Sequence, residues 1–171
     1  IICSNGFSIE ADAVIIGIGI KPNIQLAEES GLDCGNGIIV NEYCKTSDPH
    51  IFSAGDCTDH PNIIYQQRMR LESVQNAVEQ AKTVANVISG RKKLYDQVPW
   101  FWSDQYELKI KIAGISQKYD EYVIRGSLED NKFAIFYLKN KQIIAVDSIN
   151  DNKSFSIGRK LIRLKAKISK N

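Results

Sequence analysis

Hydrophobic and polar positions in the first half of the chain form short apolar blocks separated by polar breaks. Ala13 to Ile20 is a nearly continuous run of β-branched residues, which predicts a parallel strand buried on both faces. Two shorter apolar runs, Ile38 to Val40 and Ile51 to Ala54, predict further strands. A helix is predicted from Ile24 to Ser30, ended by Gly31. Strands that alternate with helices in this way indicate an α/β unit.

The strongest helical pattern of the chain begins at Ser73. Apolar residues recur there with the spacing of one helix face, at Val74, Ala77, Val78, Ala81, Val84, Ala85 and Ile88. Gly90 stands where a C-terminal cap is expected. The pattern therefore predicts a long amphipathic helix whose apolar stripe faces the core.

A different pattern begins near residue 95. Leu108, Ile110 and Ile112 alternate with lysines, and residues 121–150 predict three antiparallel strands with turns near residues 130 and 140. The last segment predicts a helix with one apolar and one basic face, made of Ile157, Leu161, Leu164 and Ile168 and of Arg159, Arg163, Lys167 and Lys170. The expected fold is an α/β fragment of a Rossmann-like, nucleotide-binding fold, followed by an α+β domain with a three-stranded antiparallel sheet.

Composition and charge exclude several classes of function. The chain has 171 residues, of which 43% are hydrophobic and 25% charged, as is typical of a globular protein. A net charge of +2 gives no general case for nucleic-acid binding, and no apolar run approaches the roughly 20 residues that span a membrane. The four cysteines form no CxxC motif and no cluster with His50 or His60. We therefore expect reduced thiols, a cytoplasmic protein and no metal site.

The segment TSDPHIFSAGDC, residues 46–57, contains the first candidate chemistry. Its apolar run ends directly in Gly55 and Asp56. Glycine and aspartate are common turn residues, so an ordinary turn explains the pair. Alternatively, Gly55 allows a cofactor to approach the backbone, and the carboxylate of Asp56 accepts hydrogen bonds from the hydroxyl groups of that cofactor. The local pattern leaves both interpretations open.

Four segments of the chain together resemble one family of flavoproteins. ADAVIIGIGIKPN, TSDPHIFSAGDC, RLESVQNAVEQA and VPWFWSDQYELKIKIAG have the order and spacing of the FAD-dependent NAD(P)H:ferredoxin reductases of oxygenase electron-transfer chains, the putidaredoxin and rubredoxin reductase family. The resemblance extends from residue 1 to about residue 150. The FWSDQY signature distinguishes this family from most dihydrolipoamide dehydrogenase relatives, and it disfavours a nitrite- or NADH-oxidase-type flavoprotein.

The resemblance implies a flavin site with two parts. In similar proteins the carboxylate at the position of Asp56 holds a ribitol hydroxyl of FAD, and the glycine at the position of Gly55 allows the close approach. The helix that follows Ser73 would point its N-terminus at the pyrimidine edge of the isoalloxazine. There, N–H groups around Val74 and the positive end of the helix dipole would favour the anionic reduced flavin.

The resemblance gives other residues less specific roles. Gly17 and Gly19 match the closing strand of the NAD domain, near the nicotinamide end of the dinucleotide, although a purely structural glycine pair fits equally well. Trp102 matches an aromatic residue close to both the flavin and the partner-docking face, and core packing is its alternative role. Trp100 is expected at the surface or in packing, although it is included in the docking hypothesis.

A basic segment near the C-terminus bears on the partner. Residues 158–170 contain six lysines or arginines and no acidic residue. A solvated helix face explains such a run, and a docking patch for an acidic ferredoxin is the alternative. The residues of the docking hypothesis are Lys82, Trp100, Arg159, Arg163 and Lys167.

The resemblance also implies a mechanism and a domain organisation. NADH or NADPH would reduce FAD, which would pass electrons to a 2Fe–2S ferredoxin or a rubredoxin, with no catalytic acid or base from this segment. Residues 1–22 would end the NAD(P)-binding domain, residues 23–95 would be the second segment of the FAD-binding domain, and residues 96–171 would form the C-terminal reductase (interface) domain. The chain contains neither GxGxxG motif of the family. We therefore expect a C-terminal portion of the enzyme that is inactive alone.

The alternative belongs to a different class of function. The chain would then be a non-catalytic interaction module that binds a ferredoxin or the missing half of the reductase.

Overall fold

Two separate β-sheets and two longer helices form the architecture of the protein. The computed structural model describes residues 1–168, so Lys170, which was assigned to the basic helix face, lies outside the described residues. The elements in chain order are α1 (Gln25–Glu29), β1 (Ile38–Ile39), β2 (Thr58–Asn62), β3 (Gln67–Met69), α2 (Val74–Ile88), β4 (Trp100–Gln105), β5 (Leu108–Gly114), β6 (Glu121–Ser127), β7 (Lys132–Lys139), β8 (Gln142–Ile149) and α3 (Asn152–Arg163). No helix within residues 1–168 is both long and apolar enough to cross a membrane.

The first sheet has the order β1-β2-β3 and is mixed. β1 runs parallel to β2, with Ile38 opposite Thr58, and β3 runs antiparallel to β2. The sequence TDHPN of β2 has proline as its one apolar residue and no alternation, so hydrophobic patterning missed this strand. The strand predicted at Ile51 to Ala54 is wrong, because this run makes only a single bridge, between Lys45 and Phe52, before the chain turns at Gly55.

The strand predicted at Ala13 to Ile20 is also wrong. These residues are irregular and exposed, and the side chain of Ile15 is 98% exposed. A strand is held by hydrogen bonds to a neighbouring strand, and no segment within residues 1–168 pairs with this run. The apolar composition alone therefore does not make it a strand.

The bounds predicted for the long helix α2 are confirmed, but its predicted buried face is wrong. The hydroxyl of Ser73 caps the helix by accepting a 3.2 Å hydrogen bond from the N–H of Asn76, and Gly90 follows the C-terminus with φ +80°. The buried residues of α2 are polar, namely Gln75, Asn76, Gln80 and Thr83. Val74 and Val78 are exposed instead. The polar face is buried because its side chains form hydrogen bonds with Gly55, Tyr95 and Trp100.

The second sheet has five strands in the order β4-β5-β8-β7-β6, and each neighbouring pair is antiparallel. The three strands predicted within residues 121–150 are present as β6, β7 and β8. Asn140 and Lys141, both at positive φ, form the turn between β7 and β8. The predicted sheet of three strands is nevertheless too small. β5 pairs with β8, and β4 pairs with β5 as an edge strand, so the sheet has five strands.

The helix α3 lies on this sheet and closes the main hydrophobic core. The carboxylate of Asp151 caps it by accepting a 3.0 Å hydrogen bond from the N–H of Ser154. The core consists of Val98, Ala113, Ala134, Phe136, Leu138, Ile143, Val146, Phe155 and Ile162. The predicted apolar face of α3 is buried only in part: Leu161 packs against the core, whereas Ile157 and Leu164 are exposed. The buried residues of the helix include Phe155, Gly158 and Ile162. The helix ends at Arg163, so Lys167 lies beyond it.

Candidate functional site

The turn at Gly55 has a rigid and buried backbone. Gly55 has φ +91°, a conformation that favours glycine over residues with a side chain. Its N–H donates a 2.6 Å hydrogen bond to Oε1 of Gln80 on α2, and its carbonyl oxygen accepts a 3.0 Å bond from the N–H of Thr58. Gly55 and Asp56 therefore form a turn, and the hydrogen bond to Gln80 attaches this turn to α2.

The carboxylate of Asp56 projects from this turn into solvent. Its backbone carbonyl accepts a 3.2 Å hydrogen bond from Nη1 of Arg70, which in turn pairs with Glu72 at 2.6 Å. Asp56 is exposed, and no hydrogen bond or ion pair within residues 1–168 reaches its carboxylate. A fixed backbone with an unbonded carboxylate is an arrangement that can accept hydrogen bonds from a ligand, so the turn interpretation and the ligand interpretation are compatible.

The N-terminus of α2 offers hydrogen-bond donors, whereas the carboxylate of Asp56 is an acceptor. The hydroxyl of Ser73 accepts a hydrogen bond from the N–H of Asn76. The N–H groups of Val74 and Gln75 have no partner in the part of the chain that the structure describes. The Val74 side chain is 60% exposed, so this end of the helix is open. Two free N–H groups at the positive end of a helix dipole favour an anionic or electron-rich group.

A groove with a volume of about 680 Å³ runs between α2, β4 and α3. It brings together five of the residues singled out from the sequence: Val74, Trp100, Trp102, Arg159 and Arg163. The other lining residues are Gln75, Val78, Glu79, Gln97, Val98, Ser156 and Lys160. The groove combines an aromatic wall with three cationic side chains.

The aromatic wall consists of Trp102 and Trp100, and Trp100 packs on Phe155 of the core. The rings of Trp100 and Trp102 lie 5.5 Å apart, and Trp100 meets Phe155 edge to face at 5.6 Å. The guanidinium of Arg159 lies 5.9 Å from the centre of the Trp100 ring. Trp100 is half-buried by these contacts and packs against the core, whereas Trp102 keeps 41% of its surface exposed.

Arg163 joins α3 to the segment that precedes β4. Its Nη2 pairs with a carboxylate oxygen of Asp96 at 2.9 Å, and its Nη1 donates to the Asp96 carbonyl at 3.1 Å. Both side chains are partly exposed, so the pair adds little to stability. Its effect is to hold one wall of the groove in place.

Other residues singled out from the sequence lie away from this groove. Lys82 is exposed on α2 and pairs with Glu79 at 2.7 Å. Lys167 is exposed and follows α3, where its backbone forms a bridge with that of Gln142. Neither lysine lines the groove.

Gly17 and Gly19 also lie outside the groove. A Cβ at either glycine would have no atom within 4 Å, so nothing within the described chain crowds them. The role of this pair near a dinucleotide stays a prediction.

Sequence reasoning missed a set of buried polar residues beneath α2. The phenolic hydroxyl of Tyr95 donates a 2.9 Å hydrogen bond to Oδ1 of Asn76, and the N–H of Trp100 donates a 3.3 Å bond to Oε1 of Gln75. Gln80 binds the Gly55 turn as described above. A stripe of uncharged polar residues at helical spacing was the signal that could have revealed this face.

Tyr95 of this buried set and the neighbouring His60 have shifted pKa values. Burial raises the pKa of the Tyr95 hydroxyl well above its usual range. Burial lowers the pKa of His60 to about 4, and its imidazole ring meets Tyr95 edge to face at 5.1 Å. Among residues 1–168, no group of three or more His, Cys, Asp or Glu side chains has an arrangement that could hold a metal ion.

Comparisons with known proteins match both parts of the chain. Residues 1–81 match the pyridine nucleotide-disulphide oxidoreductase family model, and residues 100–171 match the reductase C-terminal model. Over 162 residues the chain is 42% identical to putidaredoxin reductase of Pseudomonas putida, which covers 95% of this chain. The chain spans only 38% of the length of that relative.

Solved structures agree with the sequence comparison. The ferredoxin reductase for the CYP199A2 system from Rhodopseudomonas palustris superposes with a TM-score of 0.94 at 39% identity, covering 98% of this chain and 42% of its own. A covalent putidaredoxin reductase–putidaredoxin complex superposes with a TM-score of 0.91 at 41% identity, covering 97% of this chain and 40% of its own. Residues 1–81 therefore belong to the pyridine nucleotide-disulphide oxidoreductase family and residues 100–171 to the reductase C-terminal family, and the chain as a whole is similar to part of these ferredoxin reductases.

Proposed function

We propose that this chain supplies the ribitol and pyrimidine side of an FAD site, together with a carrier-docking surface. The complete enzyme would transfer electrons from NADH or NADPH through FAD to a ferredoxin-type carrier. The observation that supports this most is the unbonded carboxylate of Asp56, which projects from a turn anchored to the same helix whose N-terminus carries two free N–H groups. An FAD molecule presents hydroxyl donors along its ribitol and acceptor atoms on its pyrimidine ring, so these residues fit it.

The residues of this site bind and orient, and none of them needs to transfer a proton. FAD, when bound, supplies the exchange between two-electron transfer from the nicotinamide and one-electron transfer to the carrier. The carboxylate of Asp56 accepts hydrogen bonds from hydroxyl groups. The N–H groups of Val74 and Gln75 donate toward the ring, and the helix dipole favours negative charge there.

The groove supports a docking role for the C-terminal part. Its cations Arg159 and Lys160 have no ion-pair partner among the described residues, whereas Arg163 on the same helix pairs with Asp96, and Trp102 offers an exposed aromatic surface beside them. Positive charge around an aromatic contact suits a partner with an acidic face, because charge complementarity accelerates encounter more than it strengthens the complex. We therefore assign the carrier to this groove rather than to the region of Lys82 or Lys167.

The role of Asp56 can be tested in a chimera with a close relative. The chain would replace the matching segment of putidaredoxin reductase, and purified protein would be titrated with FAD and assayed with NADH and putidaredoxin. We expect Asp56→Ala to weaken FAD binding about tenfold or more, because the hydroxyl groups of FAD lose a charged acceptor. Asp130→Ala is the matched control, since Asp130 is an exposed turn aspartate in a different part of the chain.

Two outcomes would count against this function. Unchanged FAD affinity in Asp56→Ala would remove the residue from the cofactor site. A chimera that holds no flavin, while the chain alone still binds putidaredoxin, would favour the non-catalytic interaction module, which the aromatic and basic groove also suits.

A further inference from the structure

Gln80 lies at the point where the Gly55 turn contacts α2. Its side chain is fully buried, and its Oε1 accepts a 2.6 Å hydrogen bond from the N–H of Gly55. The hydroxyl of Thr58 lies 2.9 Å from the same oxygen. Because the Gly55 N–H can only donate, the oxygen of the Gln80 amide must face the turn.

The nitrogen of the same amide is unused. No acceptor within residues 1–168 bonds to Nε2 of Gln80, although this atom is buried. Only the acceptor oxygen of the Gln80 side chain therefore forms hydrogen bonds with the turn. An acceptor of the same length and shape at this position would keep both contacts with the turn.

The turn has little freedom once this bond is made. The N–H and the hydroxyl of Thr58 both lie within hydrogen-bond distance of the Gly55 carbonyl, at 3.0 Å and 2.9 Å. A Cβ on Gly55 would lie 3.5 Å from the Cβ of Ala77, so the turn is also in van der Waals contact with α2. The backbone that carries Asp56 is therefore fixed relative to the helix.

The helix that holds the turn is the helix that offers the free N–H groups. Gln80 stands six residues after Val74 on α2, within one rigid element. One side chain therefore sets the position of the Asp56 carboxylate relative to the N-terminus of α2. Two binding groups that must contact one ligand at the same time lose affinity when their separation varies.

We propose that Gln80 is a positioning residue that couples the Asp56 carboxylate to the N-terminus of α2, so that both contact one flavin. This inference rests on the proposed function. Gln80 is fully buried and is not itself a proposed contact of FAD. It acts by holding the Gly55 turn on the helix.

The test compares three substitutions in the chimera described above. Gln80→Met keeps the length of the side chain and removes the acceptor, so we expect the Kd for FAD to rise about tenfold or more. Gln80→Glu keeps an acceptor oxygen in either ionisation state, so we expect it to restore the Kd to within about threefold of the unmutated protein. Thr83→Val is the control, because Thr83 is buried on the same face and makes no bond to the turn.

A second measurement follows the turn without flavin. Amide hydrogen exchange at Gly55 should be slow in the unmutated chain and in Gln80→Glu, and at least about tenfold faster in Gln80→Met. Thr83→Val reports what a merely structural change of this face does to the same amide.

The outcomes separate the two proposals. Loss of FAD affinity in Gln80→Met no larger than in Thr83→Val, or no rescue by Gln80→Glu, would overturn the positioning role while Asp56 keeps its own. An unmutated chimera without flavin would overturn the proposed function. Exchange at Gly55 that stays slow in Gln80→Met would overturn the role of Gln80 in holding the turn, independently of any flavin.

Discussion

The hydroxyl of Tyr65 donates a 2.6 Å hydrogen bond to the backbone carbonyl of Ile144. The same hydroxyl accepts a 3.0 Å bond from the N–H of Ile115. Tyr65 lies just after β2, whereas its partners lie in β8 and directly after β5, so one side chain joins the first sheet to the second. Burial raises the pKa of this hydroxyl to about 12, so it remains a neutral donor at physiological pH.

Removal of this hydroxyl should destabilise the protein. We expect Tyr65→Phe to lower the free energy of unfolding by about 1–3 kcal/mol, because a backbone carbonyl and a backbone N–H lose their shared partner. Urea denaturation followed by circular dichroism measures the change. Tyr106→Phe is the control, since that ring is 99% exposed. Equal stabilities of the two variants would contradict a bridging role for Tyr65.

Gly158 of α3 is required for close packing on β8. A Cβ at this position would lie 2.5 Å from Cγ1 of Val146. We expect Gly158→Ala to destabilise the protein by about 1–3 kcal/mol through overpacking, although alanine favours the helix by about 1 kcal/mol. The measurement is thermal or urea unfolding.

The clash at Gly158 has a specific partner, which allows a double-mutant test. Val146→Ala removes the two Cγ atoms, of which Cγ1 is the nearest to the new Cβ, and leaves the Cβ of residue 146 at 2.9 Å, at the cost of a small cavity. The cost of Gly158→Ala should therefore be smaller in the Val146→Ala background. Strictly additive effects would show that the glycine matters for another reason.

His60 makes stability depend on pH. Burial lowers the pKa of its imidazole to about 4, whereas the unfolded chain takes up this proton near pH 6.5. The unfolded state therefore binds more protons between these values, and stability falls as the pH drops from about 6.5 toward 4. Over this window the loss amounts to about 3 kcal/mol.

The contribution of His60 can be isolated by a difference between proteins. Unfolding free energies at pH 7.5 and pH 4.5 would be measured for the unmutated chain and for His60→Leu. Carboxylates titrate in both proteins, so only the imidazole differs between them. An equal loss of stability on acidification in both would mean that His60 takes up its proton without cost.

Charge on the groove should control encounter with the carrier. In the chimera, we expect Arg159→Glu to slow reduction of putidaredoxin about tenfold at low ionic strength, with a smaller effect at high salt. Lys153→Glu, on the same helix but outside the groove, is the matched control. Stopped-flow kinetics at several salt concentrations give the comparison, and equal effects of the two reversals would place docking elsewhere.

Local chemistry in the sequence was sufficient for several elements. Ser73 and Gly90 marked the ends of α2 because a capping hydroxyl and a left-handed glycine act over one helical turn. The strands β6, β7 and β8 followed from alternation and from turn residues between them. The turn at Gly55 and Asp56 was also visible, and the family resemblance supplied its proposed ligand.

Tertiary structure decided which faces are buried. The apolar stripe of α2 predicted the wrong face, because Gln75, Asn76 and Gln80 find hydrogen-bond partners in three other parts of the chain. A periodic pattern specifies which residues share one face of a helix. It cannot specify which other part of the chain packs against that face. The same reason applies to α3, where Gly158 packs so closely on Val146 that a Cβ would clash with it.

Tertiary structure also decided which apolar runs become strands. Ala13 to Ile20 has the composition of a buried strand and forms none within the described residues, whereas the polar TDHPN of β2 does form one. The physical reason is that a strand is stabilised by its neighbours. The sequence determined the local caps, turns and helix lengths of this protein, and only the assembled fold determined the strand pairings and the contact between Gln80 and the Gly55 turn.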